Sequence, residues 1–522
     1  METPRVLHQF FVDAAARYPE REAVVEPGEG SVTYRELAIL SDRLRDRLHA
    51  LGVRPGDRVG ICMRKSIDAV AAMYGILKVG AAYVPVDPGA PAARNAYVMH
   101  DCAVKAVVME DRFVEKFRAE YEKLGALPGQ FLLEGTGGGR ALRHALDWAD
   151  TRHRPPETKT ATPDQRDLAY ILYTSGSTGM PKGVMLSHEN AVSFVDWCSD
   201  VFQPQASDRF SSHAPFHFDL SILDIYVPLK HGATLVIVAD DVGKEPQHLA
   251  PLIAEQRISV WYSAPSILAL LAQYGNLERH DYSALRLVLF AGEVFPVKHL
   301  RTLHAQLPKP RYFNLYGPTE TNVCTFYEVP TPIPEARAAP FPIGEPCSHF
   351  RCKVVDEQGR EAAVGEEGEL CVSGRGVMQG YWALPEQTAR GFLVDDAGIQ
   401  WYRTGDVVVE AADGNYTYRG RRDRMVKRRG YRVELGEIEA GLYRHPLIEE
   451  AAVVAIPDED AGVIIKAFLS CREAKHPSLI ALKSFCAEHL PRYMIPDRFS
   501  WHEALPKTST DKIDYQRLKE MD

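Results

Sequence analysis

Six short apolar runs constrain this chain more than any other feature: "DRVGICM", "KAVVM", "LAYILY", "ATLVIV", "ISVWYS" and "LRLVLF". Turn signals bound each run, and segments with helical periodicity separate them. A run apolar on both faces must be covered on both faces, which is the situation of a buried parallel strand. The clearest helix is "TYRELAILSDRLRDRLHALG". It opens with a capping box, Thr33 to Glu36, repeats Leu37, Leu40, Leu44, Leu48 and Leu51 at helical spacing, and closes at Gly52. The pattern predicts an α/β architecture with mixed and parallel sheets for roughly the first 420 residues. The Gly- and Pro-rich stretches "EGTGGGRALRH" and "RHRPPETKTATPDQRD" read as surface connections.

A chain of 522 residues is too long for one core. Near residue 420 the texture changes. "YRGRRDRMVKRRGYRVELGEIE" sets basic residues between aromatics and ends in a helix start. The strand candidates "AAVVAI" and "VIIKAFLS" follow, then a helix from Ser478. We therefore expect a large N-terminal domain, 1–422, and a small α+β domain, 423–522.

Net charge is −9, which argues against nucleic acid as a partner. No charge-free apolar run approaches a membrane span, and the N-terminus lacks a secretory pattern. The nine cysteines are scattered, without C-x-x-C pairs or zinc-site spacing. Together these point to a cytoplasmic protein with reduced thiols and no membrane partner.

"YTSGSTGMPKG" follows a strand candidate directly. Gly176 and Gly179 permit close backbone approach. Thr174, Ser175, Ser177 and Thr178 offer hydroxyls, and Lys182 adds a charge. Alone, the stretch reads either as a flexible turn or as a phosphate cradle. It is not a Walker A loop, because Met180 and Pro181 intervene before the lysine. "NLYGPTETNVC" brings Asn314, Tyr316, Thr319 and Glu320 around a Gly-Pro turn. "YRTGD" ends in Asp406, and "LPKTSTDKID" carries Lys512. Each alone has an ordinary solvated-loop reading; their ordered combination does not.

That combination resembles the adenylate-forming enzymes: acyl-CoA synthetases, luciferases and the adenylation domains of non-ribosomal peptide synthetases. The signatures are "YTSGSTGMPKG", "NLYGPTET", "YRTGD", "GRRDRMVKRRGYRVELGEIE" and "LPKTSTDKID". One departure is that Thr510-Asp511 stands where Asn-Gly is usual before the last lysine. The resemblance implies ATP and Mg²⁺, an acyl-adenylate, and transfer of the acyl group to a thiol. It implies that Thr174, Ser175, Gly176, Ser177, Thr178, Gly179 and Lys182 embrace the β- and γ-phosphates. Thr319 then bonds the α-phosphate and Glu320 holds the metal. Tyr316 stacks on adenine with Asn314 beside it, Asp406 takes the ribose hydroxyls, and Arg421 steadies ribose or phosphate. Lys512 bridges the two reactants, and Asp423 is the hinge about which the small domain rotates, bringing "RRGYR" to the site.

"PFHFDLSILDIY" sets Asp219 in an apolar stretch, where it needs a cationic partner. A structural Arg or Lys is one option. In the amino-acid-activating branch, the residue at this position pairs with the substrate ammonium. The family's pocket positions fall on Asp219, Leu220, Leu223, Tyr262, Leu289, Ala291, Leu315, Val323 and Cys324. This set resembles free-standing enzymes that load L-proline on a carrier protein for pyrrole formation. Activation of valine or another small aliphatic amino acid, or acyl-CoA ligation, are the competing readings. The chain ends ten residues after Lys512, so delivery in trans to a separate phosphopantetheinylated carrier is expected, with the basic cluster Arg419–Arg432 as a contact face.

Overall fold

The computed structural model describes residues 5–125, 131–132, 156–176, 180–422, 424–458, 462–471, 476–507 and 513–521. All six apolar runs form strands. Three of them, Val260–Ser263, Leu287–Ala291 and Thr234–Ile237, join a nine-stranded sheet with parallel pairing at its centre. The other three, Arg58–Cys62, Ala106–Met109 and Leu168–Thr174, join a seven-stranded sheet. Tyr170 pairs in parallel with Tyr83, but the other edge of Leu168–Thr174 runs antiparallel to Lys182–Ser187. That antiparallel pair is closed by the glycine-rich loop.

Helices fill the space between the two sheets. Tyr34–Ala50 carries the complete capping box, with Thr33 Oγ1 accepting from the Glu36 amide, and Gly52 follows it at φ +86°. Every residue of Ile67–Lys78 is buried, as its lack of a polar face requires. Together with Leu7–Arg17, His188–Phe202 and Leu220–His231, these helices build one core continuous with both sheets. The described part of the second connection is not free: Asp46 accepts from the Glu157 and Thr158 amides.

The expectation of an α/β pattern up to residue 420 needs one correction. From Phe350 to Arg421 the chain forms a five-stranded antiparallel sheet. Glu367–Gly374 at its centre is buried over six consecutive residues, but the strands beside it are only partly covered and lack the doubly apolar signature of the other six.

Beyond it, Met425–Arg428 and Tyr431–Glu434 form a hairpin. Arg429 and Gly430 at its turn both have positive φ, +51° and +79°, the geometry of a two-residue turn matched to strand twist. Ile448–Asp458, Gly462–Cys471 and Arg498–Trp501 make a three-stranded sheet. One face of it packs on Leu435–Leu442 and Leu479–His489, the latter starting where expected and capped by Ser478. This C-terminal part therefore has a core of its own. No described helix is long and apolar enough to cross a membrane.

Candidate active site

The parallel strands of the large sheet end at one edge, and the chain turns there into loops that carry most of the residues singled out above. Ligand crevices form at such carboxyl-terminal edges because neighbouring loops part there. Asp219 stands at the N-terminus of Leu220–His231, with Thr319 beside it in the wall of a shared cavity. Burial pushes its pKa up, the Thr319 and Lys427 contributions notwithstanding. Among the described residues no Arg or Lys forms an ion pair with Asp219. The described cation that acts on Asp219 is Lys427, in the wall of the same cavity but outside ion-pair distance.

Asp219 lines a cavity of about 70 Å³ with Leu220, Tyr262, Ala291 and Val323. Leu223, Leu289 and Cys324 stand behind it, fully buried in the core. Leu289 lies beside Tyr262 in strand register, and Leu315 faces a neighbouring cavity instead. Of the nine positions, then, five line the small cavity and four do not.

The neighbouring cavity, about 510 Å³, is bounded by Gly292, Asn314, Tyr316, Tyr418, Arg421 and Lys427. Asn314 donates its side-chain amide to the Pro342 carbonyl. Asp406 has no solvent exposure. One of its oxygens accepts from Arg421 at 2.6 Å and the other from the Tyr316 hydroxyl. Burial and Asp406 together raise the Tyr316 pKa well above the usual range, so the phenol is the donor.

Glu320 is also fully buried. It accepts from Tyr381 at 2.7 Å and, through both oxygens, from Arg432 at 3.0 and 2.9 Å. Lys182 stands 3.7 Å away and 4.0 Å above the Tyr381 ring. Burial alone would raise the Glu320 pKa, but Arg432, Lys182 and Tyr381 hold it at about 2. Thr174 keeps a buried hydroxyl without a partner among the described residues, while Ser175 donates to the Arg432 carbonyl at 2.9 Å. Ser177, Thr178, Gly179, Asp423 and Lys512 lie outside the described residues.

The hairpin of the small domain therefore occupies this edge. Gly430 donates to Glu293, which also accepts from Ser266, both at 3.1 Å. Lys427 reaches between the two cavities, 5.0 Å from the Tyr316 ring centroid. Burial lowers its pKa while Asp406 and Asp219 oppose that shift. Lys427 and Glu293 were missed in the sequence. The cluster Arg419–Arg432, expected as a carrier contact face, is divided: Arg421, Arg428 and Arg432 turn inward onto Asp406, Asp497 and Glu320. Arg419, Arg422 and Arg429 stay exposed.

The AMP-binding enzyme family matches residues 11–382, and its C-terminal domain matches residues 437–512. The chain belongs to this family. An L-proline–[L-prolyl-carrier protein] ligase from Pseudomonas fluorescens is 42% identical, with 98% of each chain covered. A ligase of the same name from Streptomyces coelicolor is 40% identical over 97% of this chain and 94% of its own length. Among solved structures, the amide bond synthetase McbA from Marinactinospora thermotolerans superposes with a TM-score of 0.86 at 25% identity, covering 99% of both chains. This AMP-binding enzyme thus has the large domain and C-terminal domain of adenylate-forming structures, as its signatures implied.

Proposed function

We propose that this enzyme activates L-proline with ATP to prolyl-AMP and passes the acyl group to the phosphopantetheine thiol of a separate carrier protein. The observation that carries the reading is Asp219, a carboxylate that forms no ion pair among the described residues, at the wall of a cavity of about 70 Å³ whose Leu220, Tyr262, Ala291 and Val323 side is apolar. An amino acid brings the missing charge, and a proline ring is small and apolar enough for the space. Its secondary ammonium has two N–H donors for Asp219. The names of the two matching ligases support the same substrate and partner, and a pyrrole-containing product is the corresponding pathway expectation.

The residues at the edge fit a nucleotide. The 510 Å³ cavity suits adenosine, with Tyr316 against the base and Asn314 beside it. Asp406, whose two oxygens here accept from Tyr316 and Arg421, would take ribose hydroxyls by exchanging one of these partners. The buried Thr174 hydroxyl, the amides of Ser175–Gly176 and the Lys182 ammonium form an anion cradle. Among the described residues no cluster of three or more His, Cys, Asp or Glu holds a metal alone. Glu320 would therefore share Mg²⁺ with phosphate oxygens, and the ion neutralises charge on the leaving pyrophosphate.

Neither half-reaction needs a protein nucleophile. A proline carboxylate oxygen attacks the α-phosphorus, and the bond to pyrophosphate breaks. Thr319 and Lys512 stabilise the charge there. The thiol sulfur then attacks the carbonyl carbon, losing its proton, and AMP leaves. With Arg432 on Glu320, the described arrangement suits this second step. A further cavity of about 540 Å³, lined by His217, Phe218 and the hairpin turn, shares walls with the small cavity and suits the pantetheine arm. Rotation about Asp423 would clear the hairpin for the first step.

Amino-acid-dependent ATP–pyrophosphate exchange tests the reading, with proline, valine, alanine and an aryl acid in parallel. Loading of a phosphopantetheinylated carrier is then compared with loading of free CoA. Exchange with proline alone and loading of the carrier alone are expected. Exchange with another acid overturns the substrate, and loading of CoA overturns the partner.

A further inference from the structure

We propose that Arg94 and Glu437 form a clasp that holds the small domain in the hairpin-docked arrangement, making Arg94 a positioning residue for thioester formation but not for adenylation. What each arrangement does rests on the functional reading above.

Arg94 lies on the helix Ala92–Asp101 of the large domain, and Glu437 on the first turn of Leu435–Leu442. The guanidinium donates to the carboxylate across the seam, with side-chain exposures of only 17% and 4%. A second small-domain residue, Tyr493, stands near the same guanidinium. Its ring stacks at 4.0 Å on Tyr431 of the hairpin, which meets Phe218 edge-on at 4.8 Å. Phe218 precedes Asp219, so the clasp connects through three rings to the substrate cavity.

The two side chains meet across the domain seam and are largely buried there, so the ion pair forms only when the domains dock. Undocked, both side chains return to water, and separation leaves neither stranded. Docked without one partner, the other is a buried unpaired charge, which is strongly unfavourable. Loss of either side chain therefore shifts the population away from docking. The step that needs the hairpin away from Glu320 keeps its competent state.

The test uses Arg94→Gln, Arg94→Lys, Glu437→Gln and the swap Arg94→Glu with Glu437→Arg. Carrier loading from preformed adenylate is expected to slow at least tenfold in both Gln variants, with ATP–pyrophosphate exchange unchanged within threefold. The Lys variant should recover most of the loading rate, and the swap part of it. Spin labels at Tyr274→Cys and Ile480→Cys, exposed positions on the two domains, should report longer distances in Arg94→Gln without any substrate. Unchanged distances, or exchange and loading falling together with the unfolding temperature, overturn the clasp. Absence of exchange in the unmodified enzyme would sink the functional reading instead, and the label distances would still decide the clasp.

Discussion

Arg432 of the hairpin donates to both carboxylate oxygens of Glu320 in the large domain, at 3.0 and 2.9 Å. The same carboxylate is the proposed metal ligand of adenylation, so the two uses exclude each other. Arg432→Gln is expected to slow carrier loading at least tenfold while leaving ATP–pyrophosphate exchange within threefold or faster. Single-turnover loading beside exchange kinetics checks this, and an equal loss in both would count against it.

Asp219→Asn keeps the shape of the side chain but removes the charge that would meet an ammonium. A hydrogen bond to a charged group contributes about 1.5–3 kcal/mol, so exchange at subsaturating amino acid should fall roughly 10- to 100-fold. The loss belongs in the amino-acid KM, with the ATP KM little changed. An Asn variant with ordinary amino-acid KM would remove Asp219 from substrate binding.

Gly430 sits at φ +79°, and a Cβ there would lie 3.2 Å from that of Ala264. Gly430→Ala should cost about 1 kcal/mol in backbone strain, with crowding against Ala264 added only when docked. Loading is expected to fall more than exchange, measured on the same preparation.

His8 and His188 are buried beside each other, with ring centroids 5.9 Å apart. Burial lowers their pKa values from the ordinary 6.5 to about 4 and about 3. Because the folded values are depressed, protonation favours the unfolded chain. The stability they permit is complete above pH 6.5 and is lost as pH falls toward 4. For His8 alone the loss is on the order of 3 kcal/mol. Melting temperature against pH should fall over this window, and less steeply in His8→Gln. Equal slopes would assign acid sensitivity elsewhere.

Much of this arrangement was legible in the chain because it is local. The Thr33 cap, the helix start at Ser478, the doubly apolar strands and the ordered loop motifs each depend on neighbours a few residues away. Long-range pairing was not legible. Arg94 and Glu437 are 343 residues apart, and Lys427 gains meaning only between Asp219 and Asp406. The cluster Arg419–Arg432 is expected from sequence as a carrier contact face because Asp406, Glu320 and Asp497, which take three of its arginines inward, lie in other segments. The antiparallel sheet of residues 350–421 escaped because half-covered strands carry weaker apolar runs.

The tip of the hairpin meets the large domain through main chain and the smallest side chains: the Gly430 amide on Glu293, with Gly292 and Ala264 beneath. A joint of that kind carries little sequence information. Small domains from related enzymes should therefore be interchangeable at the tip, with compatibility in a chimera decided by whether it restores the partners of Arg94 and Glu320. The modularity of such a two-part enzyme resides in its glycines, and its individuality in two arginines.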